Sequence, residues 1–376
     1  MIFSRMPEPT RGPLGLLVPL RCLFLALLMT MAHSGCRKSP APDPSKLPSD
    51  PQPSPPPAHL NLFGRVGSIP PSIIAQFTEE TGIPVEVETF ASNEQMLANL
   101  LSGGGQHDLI EPGESVIEDL IRENLLLPLN HEEIPNLKNL SPKFRNFPFD
   151  PGNVFSVPFM AETVGIVINT ERVKGRVESF KDAFNGDHQG RIVVLDDPRE
   201  IVSWAFATLD LPVDEVSEAN LEEARPLLAK WLRQVKAYDF HSPESLLLSG
   251  EADVGILRSP AAAVLLESDK RFQWALPLEG AHLIVDNLCI LRSSSQVQAA
   301  QALINFLLRP DISAAISRLH PRLNPNAAAR LLLTPEQLAN PASFPTEEEF
   351  TRLKIFRGIG NQTLHIEELV NSLKAQ

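Results

Sequence analysis

Hydrophobic and polar positions switch between two periods from Leu60 to Pro112, and that switching sets the architecture of the chain. An apolar run, Leu60 to Phe63, stops at Gly64. After Pro70 and Pro71, the apolar positions Ile73, Ile74 and Phe77 share one helical face, which Gly82 ends. Val85, Val87 and Thr89 alternate with Glu86 and Glu88 as a half-buried strand does. Met96, Leu97, Leu100 and Leu101 then restore helical spacing until Gly103 to Gly105 breaks it, and a further strand follows at Asp108 to Ile110. Strand, helix, strand, helix, strand predicts an α/β fold with a parallel sheet and helical crossovers. Ligands of such sheets sit beyond the carboxyl ends of the strands, here Gly64 to Ser68 and Glu111 to Ser115.

Further along, Ile117 to Glu123 reads as a helix and Asn130 to Phe149 as a polar, proline-bearing excursion. Phe155 to Phe159 and Val164 to Asn169 read as two strands, Arg191 to Leu195 as a buried strand and Ile201 to Leu209 as a helix. The spacing predicts a longer helix over Leu221 to Ala237, with Leu227, Leu228, Trp231, Leu232 and Val235 inward. Ala252 to Leu257 and Trp274 to Leu276 read as strands and Ala281 to Leu291 as a return segment. Gln296 to Leu308 is amphipathic, with Ala299, Leu303, Phe306 and Leu307 on one face.

The run from Ile69 to Ile83, with Ser92-Asn93-Glu94 and Asp108-Leu109-Ile110, resembles the spermidine/putrescine-binding receptors of bacterial ABC importers. The resemblance returns at Pro148 to Pro151, at Asp196 to Glu200 and at Leu303 to Asp311, so it covers nearly all of the chain after Leu60. It implies a periplasmic-binding-protein-like α/β fold of two lobes with a ligand cleft between them, each lobe discontinuous in sequence. Residues 59–160 and 287–345 would form the first lobe, and 161–286 and 346–376 the second. Hinges would lie near Phe159 to Thr163 and Asp286 to Leu288. The implied function is that of a monomeric, non-catalytic receptor that delivers a small solute to the permease of an ABC importer.

Composition adds a compartment. With 376 residues and 43% hydrophobic content the chain can bury one large or two ordinary cores. Arg11 and Arg21 precede the apolar run Cys22 to Ala32, which has the length of a signal peptide and is short for a membrane span. Ser34-Gly35-Cys36 resembles a lipoprotein processing site, which implies removal of residues 1–35 and acylation of Cys36. The other reading is ordinary cleavage near Ala32. Residues 39–57, almost entirely Pro, Ser, Asp and Ala, would form an extended tether of about 60 Å at roughly 3 Å per residue. Cys289, in the apolar run Leu288 to Leu291, reads as a buried structural thiol. The formal charge of −13, with three Arg and one Glu in residues 1–35, argues against nucleic acid and anionic lipid as partners.

The chain has no Gly-x-Ser-x-Gly elbow, no phosphate loop and no paired-histidine motif. Each scattered histidine reads as a surface or satisfied core residue, and neither a metal nor a cofactor is expected. Tyr238 is the sole tyrosine, which disfavours a ferric-ion receptor, since such receptors of similar architecture use tyrosine ligands. Asp197 and Glu200 flank Pro198 at a helix start, so they read either as an N-cap with a reciprocal glutamate or, by the resemblance, as carboxylates that hold an ammonium group. By the same resemblance Asp286 matches a second ammonium-binding acid. A lone acid between apolar residues needs a partner, and both ligand and arginine qualify.

The family's aromatic cage is missing. Arg65, Ser68 and Ser115 stand where Trp and Tyr rings are expected, Arg258 and Ile284 replace two Trp, Arg322 replaces a Tyr, and Phe356 stands where a polar amide is usual. Without those faces a linear polyamine loses its clamp, so weak polyamine binding is expected. Arg65, Arg258 and Arg322 could instead hold a carboxylate or phosphate on a solute that also carries an amine, or could pair with the retained acids in an internal network.

Overall fold

The computed structural model describes residues 59–360 and 362–376. The signal-like run, Cys36 and the proline-rich segment lie outside them. Ten strands join in hydrogen-bonded order among the described residues: β1 (Leu60–Arg65), β2 (Val85–Phe90), β3 (Leu109–Ile110), β4 (Val157–Asn169), β5 (Ile192–Val194), β6 (Val235–Tyr238), β7 (Val254–Arg258), β8 (Phe272–Ala275), β9 (Ala281–Ile290) and β10 (Leu353–Lys354).

The opening unit forms as its periodicity requires. β1 pairs in parallel with β2 and with β3, and helices Pro71–Thr81 and Asn93–Leu101 make the crossovers. Pro71 starts the first helix, where its missing N–H costs nothing, and Gly82 ends it in the left-handed region at φ 71°. Ser92 caps the second by accepting from the Gln95 amide. The strand faces alternate. Leu60, Leu62 and Leu109 enter one core with helix Val297–Leu307, while Phe63 and Ile110 enter another with Phe90, Met96 and Cys289.

A second lobe repeats this plan. β5 lies between β6 and β7, parallel to both, and β7 pairs antiparallel with β4. Ile166, Val194 and Ile256 meet the helices Pro198–Thr208, Glu218–Leu232 and Gln362–Lys374 on one face. There Trp204 stacks on Phe180 and Trp231 on Phe184, at 5.5 and 4.8 Å between ring centroids. Val167, Val193 and Leu257 face a separate core with Leu247 and Phe272.

β4 and β9 join the lobes. They pair antiparallel from Val157↔Leu288 to Thr163↔Leu283, with an irregularity between Pro158 and Met160. β9 continues into the first lobe against β3, and β4 into the second against β7 and β8. Two expectations are corrected here. The strands expected at 155–159 and 164–169 are a single strand, because the polar residues between them are satisfied in place: Thr163 N donates to Ser259 Oγ at 3.1 Å and Glu162 accepts from Arg258 at 2.8 Å. The helix expected to reach Ala237 stops at Leu232; Gln234 N closes it on Trp231 O, and Val235 to Tyr238 leave as a strand beside β5. The excursion at 130–149 consists of three short 3₁₀ turns, and Cys289 is fully buried as expected.

Candidate functional site

The carboxyl ends of β1, β3, β5 and β7 point into one cleft, which holds a cavity of about 700 Å³. Of the residues expected at a site, Arg65, Ser115, Asp197, Glu200 and Arg258 line it. Ser68, Asp286 and Arg322 do not, which corrects their expected ligand contact in this structure. Asp286 is fully buried between Arg65, whose Nε donates to Oδ1 at 3.0 Å, and Arg322, which donates to Oδ2. Ser68 turns away to donate to the buried Glu111, whose other oxygen accepts from the Arg65 amide at 3.1 Å.

Asp197 performs the capping role its position suggests. Its Oδ1 accepts from the amides of Arg199 and Glu200 at 3.0 and 3.3 Å, while Oδ2 lies 3.5 Å from Arg258 Nη2. Glu200 does not complete a reciprocal box. Its Oε1 meets His282 Nδ1 at 2.5 Å, and its Oε2 is buried with no hydrogen-bond partner. His282 Nε2 meets Glu114 Oε1 at 3.0 Å, and Glu114 Oε2 accepts from the Val285 amide at 2.9 Å. Phe356 stacks on the imidazole, 3.6 Å between centroids and 9° from parallel.

These contacts form one continuous chain of charge. Glu111 meets Arg65; Arg65 and Arg322 share Asp286; Arg322 lies 3.8 Å from Glu162, which takes Arg258; Arg258 faces Asp197, whose helix presents Glu200 to His282 and, through it, Glu114. Three guanidinium groups and one imidazole thus serve six carboxylates. Burial works against charge on His282, but Glu200 and Glu114 outweigh it and push its pKa up to about 9. Burial likewise opposes charge on Glu200, yet His282, with Arg258 and Arg199 behind it, holds that carboxyl below its usual range. Burial raises Asp197, with Glu200 adding to it. Burial and the charge of Asp286 together push Glu111 up to about 7.

The histidine was dismissed from sequence although a signal existed. Residues 282, 284 and 286 share one face of β9, so His282 follows the same side of the strand as Ile284 and Asp286. Its partners Glu114 and Glu200 lie 168 and 82 residues away, beyond any local pattern.

The model of the family described as bacterial extracellular solute-binding protein matches residues 72–346. The chain belongs to that family. The receptor is 30% identical to the spermidine/putrescine-binding periplasmic protein of Escherichia coli (strain K12), over 84% of this chain and 91% of that one. It is 29% identical to the putrescine-binding periplasmic protein SpuD of Pseudomonas aeruginosa (strain UCBPP-PA14), over 81% and 88%. Among solved structures it superposes on the spermidine/putrescine ABC transporter substrate-binding protein PotD from Streptococcus pneumoniae strain Canada MDR_19A. The TM-score is 0.78 and the identity 29%, covering 85% of this chain and 99% of that one. Solute-binding proteins of ABC transporters are not enzymes. In this receptor the cleft between the lobes is accordingly a binding site, and no described helix is long and apolar enough to cross a membrane.

Proposed function

We propose that this receptor binds a small organic cation of the polyamine class in its interlobe cleft and hands it to an ABC permease outside the cytoplasm. One observation carries the reading: seven carboxylates line the cavity against four guanidinium groups, and each of those four already pairs with an acid. A cleft of that balance attracts cations and disfavours anions, which would have to displace buried pairs. Glu200 Oε2, buried and unpartnered, and Asp197 Oδ2 are the acceptors offered to an ammonium group. Phe240 and Phe356 supply the apolar faces for its alkyl part. The relatives named for spermidine and putrescine support the same solute class. The lobes would move as the segments 59–160 with 287–345 and 161–286 with 346–376, and Cys36 would carry the lipid that tethers the monomer to its membrane.

A second reading retains the amine and adds an anionic group on the solute. It is favoured by the Nε atoms of Arg199 and Arg258, buried at the cavity without partners. Calorimetry with putrescine and with 4-aminobutyrate, which replaces one ammonium by a carboxylate on a chain of similar length, separates the two. Putrescine should bind and lose at least tenfold in affinity in Glu200→Gln. Binding of 4-aminobutyrate with no response to putrescine would replace the first reading by the second.

A further inference from the structure

The acids of the cleft outnumber its guanidinium groups, and the histidine between two of them changes the count. Along the chain of paired charges, six carboxylates and three guanidinium groups leave an excess of three negative charges, and a protonated His282 lowers it to two. The geometry holds that proton. Both ring nitrogens face a carboxylate oxygen, Glu200 at 2.5 Å and Glu114 at 3.0 Å, so neither has a donor to accept from, and only the imidazolium can donate on both sides. The ring is fixed by Phe356 stacked on one face, with the Arg199 guanidinium over that phenyl at 5.1 Å, and its side chain is only 9% exposed. Independently, Glu200 keeps one buried oxygen without any partner, beside the one that His282 occupies.

We propose that His282 is the specificity-determining residue of the cleft: clamped between Glu114 and Glu200, it supplies a positive charge that a longer polyamine would otherwise bring, so the solute carries two positive charges at most. Resting on the cation reading above, this inference narrows the solute from polyamines at large to diamines and monoamines. A triamine would place its third ammonium against a fixed imidazolium or would have to expel a buried charge from between two acids. Both disfavour binding. The arrangement also draws the clamp from distant parts of the chain, Glu114 beyond the end of β3 and Glu200 on helix Pro198–Thr208.

The test uses the full chain, with putrescine and spermidine as probes in calorimetry. Wild type should bind putrescine at least tenfold more tightly than spermidine. His282→Gln, which keeps a hydrogen-bonding side chain without the charge, should move that ratio at least tenfold toward spermidine. An unchanged ratio in a variant that binds either amine overturns this inference alone, whereas failure of wild type to bind either overturns the cation reading with it. A second measurement needs neither ligand nor variant folding: the imidazole resonances of His282 should report a protonated ring at neutral pH, and a neutral ring there overturns the proposal.

Discussion

Arg65 Nε donates to Asp286 Oδ1 across 3.0 Å and 221 positions of sequence, and Arg322 occupies the other carboxylate oxygen. The acid that the family pattern offers to an ammonium group is therefore saturated from within the protein. Asp286 is completely buried and Arg322 is 8% exposed, so this pair is a structural element as much as an electrostatic one. Asp286→Asn would leave the Arg322 guanidinium with only Glu162, at 3.8 Å. Removing one partner of a buried pair costs about 3–5 kcal/mol, because the remaining charge stays desolvated. Denaturant unfolding of Asp286→Asn should show a loss of that order. A variant as stable as wild type would mean that the guanidinium groups reach solvent or solute instead.

Stability should fall as the pH rises above neutrality. His282 has its pKa pushed from 6.5 to about 9 in the folded state, so its contribution is complete below about pH 6.5 and lost as the pH climbs through 9. Glu111 acts in the same direction at lower pH: raised from 4.5 to about 7, it contributes fully below 4.5 and loses that contribution through 7. Glu200 and Asp286, held low, oppose both only on acidification. Melting temperatures measured across this range should decline on the alkaline side, and His282→Gln should flatten the part between about pH 6.5 and 9. A wild-type profile that is flat there would show that the clamp does not hold its proton.

The first β-α-β-α-β unit was legible because every element in it is defined locally: Gly82 at a left-handed C-cap, Ser92 at an N-cap, and strand faces that alternate by twos. The joining strand β4 was broken in two by reading because Glu162 and Thr163 look like an interruption, and only Arg258 and Ser259, about a hundred residues later, make them part of a strand. Val235 fits the helical period of Leu228 and Trp231, and it took the neighbouring strand β5 to claim it for the sheet. The site divides in the same way. Asp197 and Glu200 were visible as acids at a helix start, whereas the commitment of Asp286 to two arginines and of Glu200 to His282 depends on contacts that no spacing encodes.

Attachment to the membrane is tested at one atom. Ser34-Gly35-Cys36 follows the apolar run and precedes the proline-rich segment, so the thiol of Cys36 would be the acylated group and residues 39–57 the spacer. Detergent partitioning of the protein from its native envelope should move it to the detergent phase, and Cys36→Ser should return it to the aqueous phase. Identical partitioning of the two forms would remove the anchor and leave simple secretion.

Closure of the cleft follows from how the lobes are joined and from where the charges stand. β4 and β9 are the two strands that run through both lobes, and their pairing is irregular between Pro158 and Met160, where Pro158 has no amide to donate. Bending there moves Arg65 and Ser115, at the strand ends of the first lobe, relative to Asp197, Glu200 and Arg258 at those of the second. A cation held by Glu200 and Asp197 adds attraction toward the acids on the opposite wall, Glu94 and Asp119, and differential binding of that kind favours the closed arrangement. Small-angle scattering should show a smaller radius of gyration with saturating putrescine, and Glu200→Gln at the same concentration should keep the larger one. A radius unchanged by an amine that calorimetry shows to be bound would mean that the cleft fills without closing.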